Sequence, residues 1–146
     1  MMHSTEIEIA EGIGEVKFGM SPDEVLNILG EPNEKNKVEF SEEDPDYYSE
    51  EWHYDTIEMS LVFDMLESLE LSTISVSSAQ YTLEGESLIG MDYSSLMELF
   101  EEIGIENSWI EFEEEDPDSR SFYNENEGIS LYFEEELLSE FQWEML

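Results

Sequence analysis

His3 and His53 are the chain's only imidazoles, and together they set the limit on acid–base chemistry near neutral pH. His3 stands in the opening MMHSTEIEIAEG, where chain ends fray. His53 stands in EEWHY at 50–54 between Trp52 and Tyr54, so a strand that turns those two rings to the core points the imidazole the other way, toward solvent or a binding groove. No nucleophile motif accompanies either histidine. Serines are plentiful, but none sits in G-x-S-x-G. The expectation is no catalytic constellation and no enzyme. Hard oxygen donors occur twice, as EEDPD at 42–46 and again at 114–118, and would suit Ca²⁺ or Mg²⁺ rather than zinc. The spacing of a helix–loop–helix calcium loop is absent, and Asp-Pro is ordinary turn chemistry. Both segments are therefore expected to be solvated acidic turns, with no metal and no cofactor assigned.

Charge narrows the partners further. Forty Asp and Glu face only Lys17, Lys35, Lys37 and Arg120, a formal net charge of −36. Nucleic-acid backbones require cations that displace counterions, and anionic membranes repel such a chain, so neither is an expected partner. Basic proteins, metal cations and neutral ligands remain. In DYYSEEWHY at 46–54 aromatic residues interleave with acids, and interfaces favour Tyr and Trp. The candidate partner-binding residues are Glu42, Glu43, Asp44, Asp46, Tyr47, Tyr48 and His53, with the two tyrosines as anchors in the first acidic turn. The expected function is non-catalytic binding of a basic protein, as an inhibitor, an immunity-type protein or a nucleic-acid mimic would do. The alternative is a cytosolic structural or small-ligand-binding domain whose acidity serves only solubility or salt adaptation.

A chain of 146 residues with 40% hydrophobic residues has the material for a core and can bury roughly 68–70% of its unfolded surface. Cysteine is absent, which removes disulfides, thiolate metal sites and thiol lipidation. MMHSTEIEIAEG lacks the cationic segment and apolar run of a secretory signal, and nowhere do 18 apolar residues follow one another. The expected location is cytoplasmic.

The elements that must position these residues begin with FGMSPDEVLNILGEPN at 18–33. Ser21 is a good N-cap, Pro22 suits the first helical position, Glu24 completes a capping box and Met20 can staple over Val25. Gly30 and Pro32 end the helix. A second helix is predicted after the cap Asp92, with Met91 and Leu96 as staple, Leu96, Leu99, Phe100 and Ile103 on one face, and Gly104 at its end. Period-two alternation marks strands at Trp52 and Tyr54, at Met59, Leu61 and Phe63, at Leu69 and Leu71, at Ile129, Leu131 and Phe133, and at Phe141, Trp143 and Met145. A change of phase between Leu71 and Ile74 predicts a bulge, and Ile7 and Ile9 an edge strand.

VEFSEEDPD at 38–46 matches IEFEEEDPD at 110–118 at seven of nine positions, and SLVFD at 60–64 matches SLYFE at 130–134. Such ordered matches predict a duplication. The expected fold is α+β in two tandem repeats, each a short helix followed by three to four antiparallel strands, with sheets shared or packed together. The expected boundaries are 1–12 for an N-terminal segment, 13–83 for the first repeat and 84–146 for the second.

Phe18 to Ser21, Glu24, Val25, Leu29, Gly30 and Pro32, followed by Trp52, Tyr54 and Val62 to Asp64, resemble the SmpA/OmlA-type small outer-membrane lipoproteins over about half of the chain. The tandem arrangement resembles the beta-lactamase inhibitor protein architecture, which implies a non-catalytic scaffold that grips another protein with a sheet surface. Without cysteine, neither the lipid anchor nor the inhibitor family's disulfides carry over.

Overall fold

Alternating apolar residues build the centre of the molecule. The structure, a computed structural model, describes residues 5–40, 42–44, 46–66 and 68–146, so His3 and Pro45 lie outside the described residues. Eight strands form one antiparallel sheet: β4 (Glu34–Glu39), β5 (Tyr48–Tyr54), β6 (Met59–Met65), β7 (Leu69–Val76), β10 (Ile110–Phe112), β11 (Ser119–Asn124), β12 (Ile129–Glu134) and β13 (Leu137–Glu144). Their order across the sheet is β10-β11-β12-β13-β7-β6-β5-β4. Five two-residue strands form two small sheets, one of β1 (Ile7–Glu8), β2 (Gly12–Ile13) and β3 (Val16–Lys17), the other of β8 (Thr82–Leu83) and β9 (Glu86–Ser87).

The helices are α1 (Pro22–Leu29) and α2 (Tyr93–Ile103). Ser21 caps α1, accepting from the Glu24 amide while the Glu24 carboxylate accepts from the Ser21 amide, and Asp92 caps α2 by accepting from the Ser95 amide. Val25 of α1 and Leu96, Leu99 and Phe100 of α2 are buried against the inward side chains of the sheet, among them Trp52, Leu61, Phe63, Ile74, Leu131, Phe141 and Trp143. Polar contacts fix the covering layer. Tyr54 donates to the Gly30 carbonyl at 2.8 Å, and Trp143 Nε1 donates to the Gly12 carbonyl at 3.2 Å. The predicted bulge is present: Val62 pairs with Thr73 and Phe63 with Leu71, which leaves Ser72 as the extra residue.

The expected α+β fold of two helix-plus-strand repeats is corrected by this arrangement. Of the described residues 45% are in strands and 14% in helices, and the chain is mostly β. Pairing of β13 with β7 joins all the long strands into one sheet, and short hairpins share the covering role that the expectation gave to helices. Those hairpin strands are two residues each, too short to carry a periodic signal. Among the described residues no helix is long and apolar enough to cross a membrane.

Candidate partner-binding surface

Each long strand turns one set of side chains to the core and the alternate set away from it. Since α2 packs Tyr93 on Phe122 and Phe133, and Phe100 on Phe141, the helix lies on the core side, and the alternate set forms an open face. The strand registers align one row across all eight strands of this face: Ile110, Tyr123, Ser130, Gln142, Ser75, Ser60, His53 and Glu34. At about 4.8 Å per strand the row is about 34 Å long. Its middle is small and polar. Ser75 Oγ donates to Gln142 Oε1 at 3.0 Å, and His53 Nδ1 lies 2.9 Å from Ser60 Oγ. Elsewhere on the face Ser49 and Ser72 both donate to Asp64, and Tyr123 donates to Glu144 Oε1 at 2.8 Å. These bonds cross from strand to strand within the face.

Carboxylates flank the row. Glu51, Asp64, Glu140 and Glu144 project from the same face, being register partners of Val62, Ser49, Tyr132 and Thr73. Burial holds the Glu140 carboxyl above the usual carboxylate range, and burial together with the Glu140 charge raises the Tyr132 phenol. No cation joins them. Lys35 and Lys37 lie on the core side of β4, their ammonium groups 4.7 Å and 4.3 Å from the Trp52 and Tyr48 ring centres. Arg120 covers Phe122 and Tyr93 and pairs with Glu111 at 2.9 Å. Lys17 pairs with Glu8 at 2.5 Å in the small sheet. Thus all four cations are engaged away from the open face.

Apolar side chains stand at its two ends. At one, Phe40 (58% exposed) and Tyr47 (52%) pack with ring centres 5.4 Å apart beside the edge strand β4. At the other, Ile110 (53%) and Phe112 (51%) stand on β10.

The seven residues singled out from sequence do not form one cluster. Glu42, Glu43, Asp44 and Asp46 are exposed in the β4–β5 turn, where Tyr47 N–H donates to the Asp44 carbonyl at 3.2 Å. Tyr47 joins Phe40, but Tyr48, one residue on, faces the core side under Lys37. His53 lies on the open face at the far end of β5, about 20 Å along the strand from Tyr47. Ser60, Ser75, Ser130 and Gln142 were not singled out, although they occupy the off-phase positions of the same alternation that marked the core. No group of acidic residues and histidine with the arrangement of a metal site occurs among the described residues.

No protein-family model matches the chain, and no curated protein matches it. In fold it is similar to an extracellular protein containing a SCP domain from Bacillus anthracis str. Ames, with a TM-score of 0.50 and 15% identity over 86% of this chain and 43% of that one. The chain therefore spans less than half the length of that protein, and at this identity the likeness shows fold alone.

Proposed function

We propose that the chain is a non-catalytic protein-binding module that receives a basic protein on the open face of its eight-stranded sheet. The observation that carries this is the segregation of charge. Every cation is paired at or behind the core side, while the open face presents carboxylates, hydroxyls and a carboxamide with no Lys or Arg. Uncompensated carboxylates accelerate encounters with a basic surface, and the low hydroxyl row offers hydrogen bonds without steric relief. Exposed aromatic and aliphatic side chains at the ends provide area that can be desolvated, which charge alone cannot supply. A protein captured from the source cells with the tagged chain can then be measured against two variants of equal charge change, Glu51→Lys on the open face and Glu86→Lys on β9. The expected result is a loss of about tenfold or more in affinity for the first and about twofold or less for the second. Equal losses would mean that only net charge matters and would contradict the assignment of the face.

A further inference from the structure

The sheet has two free edges, and they are defended differently. An antiparallel edge strand turns every second residue's N–H and C=O outward, which makes it a template for another strand unless charge or shape prevents pairing. On β4 all six residues are exposed, and Lys35 and Lys37 stand along it. Lysine on an edge is a common guard against pairing. β10 has no such guard. It carries Ile110 and Phe112, both exposed, and its one charged residue, Glu111, is engaged by Arg120 of β11 through contacts of 2.9 and 3.1 Å. The strand is also held in place before any partner arrives: Trp109, just ahead of it, stacks on Phe100 of α2 with ring centres 5.4 Å apart and planes 18° apart. Beyond it the chain enters the acidic segment at 113–118.

We propose that β10 is a docking edge at which an extended cationic segment of the partner adds as a further strand. The proposal rests on the reading of the chain as a binder of basic proteins, and it specifies the mode. Main-chain hydrogen bonds to the outward groups of β10 supply affinity, while alternate apolar side chains of the incoming strand cover Ile110 and Phe112 on the open-face side. Lys or Arg in the same strand meets the acids at 113–118. A second copy of this chain is a poor occupant, because each copy brings a net charge of −36 to the contact.

The test uses a short synthetic peptide of alternating Arg and Val, and a control of the same sequence N-methylated at every residue, which keeps the charge but leaves neither edge of the peptide able to complete a ladder. Binding is measured at about 0.1 M salt, where the Debye length is about 10 Å. The expected result is affinity for the first peptide, a loss of about tenfold or more for the N-methylated one, and slowed amide exchange at 110–112 on binding. Ile110→Lys, which installs on β10 the guard that β4 has, should cost as much, whereas Leu66→Lys, an equal charge change at an exposed turn residue, should cost about twofold or less. Equal binding of both peptides overturns the edge proposal and leaves the basic-partner reading standing. Binding of neither overturns both. Self-association of the chain alone that Ile110→Lys abolishes would assign the edge to a second copy and also contradict the proposal.

Discussion

Tyr54 and Tyr81 show how single side chains tie the covering layer to the sheet. Their hydroxyls donate to the carbonyls of Gly30 and Ile57 at 2.8 and 2.6 Å. Burial is the main cause that pushes both phenols up to about 12 from 10.0, with the charges of Glu31 and Glu58 adding to it. The unfolded chain therefore releases these protons first as pH rises. Their contribution to stability is complete below pH 10 and is lost between pH 10 and about 12. Urea midpoints across that range should fall in the native chain, and the fall should be shallower in the double variant Tyr54→Phe, Tyr81→Phe. An identical slope in the two proteins would place the alkaline transition on other groups. At this scale much was legible in the sequence. The capping box of Ser21 and Glu24, the cap at Asp92 and the outward turn of His53 all follow from residue type and spacing, because each depends on neighbours within a few positions.

Elements were legible in proportion to their length. The long strands and both helices carry enough apolar residues for a period to emerge, and the bulge at Ser72 followed from one break in that period. The two-residue strands β1, β2, β3, β8 and β9 could not be read this way, and without them the covering layer looked more helical than it is. The same limit hid the split of the first acidic turn. Adjacent Tyr47 and Tyr48 look like one aromatic anchor in sequence, but entry into β5 at Tyr48 sends them to opposite sides. The matched segments VEF and IEF likewise reach opposite edges of one sheet. Among the short strands, β2 depends on Gly12, whose φ is +145°. A Cβ there would meet the Val16 carbonyl oxygen at 2.1 Å, and the carbonyl of Gly12 itself accepts from Trp143. Gly12→Ala should therefore destabilise the fold by about 3 kcal/mol or more, through backbone strain and displacement of the small sheet from Trp143. A change under about 0.5 kcal/mol in urea unfolding would show that the β1–β3 sheet contributes little to the whole.

For the molecule as a whole the governing quantity is the net charge of −36, which repels itself in the compact state. Stability should rise with salt from about 0.01 to about 1 M, as the Debye length falls from about 30 to about 3 Å. It should also rise as pH falls from neutrality toward the carboxylate range. Glu140, its carboxyl held high by burial, takes up a proton in the folded state before it does in the unfolded chain, so it strengthens this trend. Asp92 and Glu111, lowered by hydrogen bonds from Ser95 and Arg120, oppose it once pH falls into the ordinary carboxylate range, where the unfolded chain takes up these protons before the folded one does. Melting temperatures that fell with salt at neutral pH would contradict this account of the charge. The partner, in turn, should exploit the same charge where it is not answered internally, which is the open face. An amide shift map of the isotopically labelled chain, titrated with the basic protein it captures, tests that most directly. The predicted result is a continuous footprint through Ser60, Ser75, Gln142 and Ser130, ending at Ile110 and Phe112. Shifts confined to α1, α2 and the small sheets would place the partner on the opposite side and contradict the central claim.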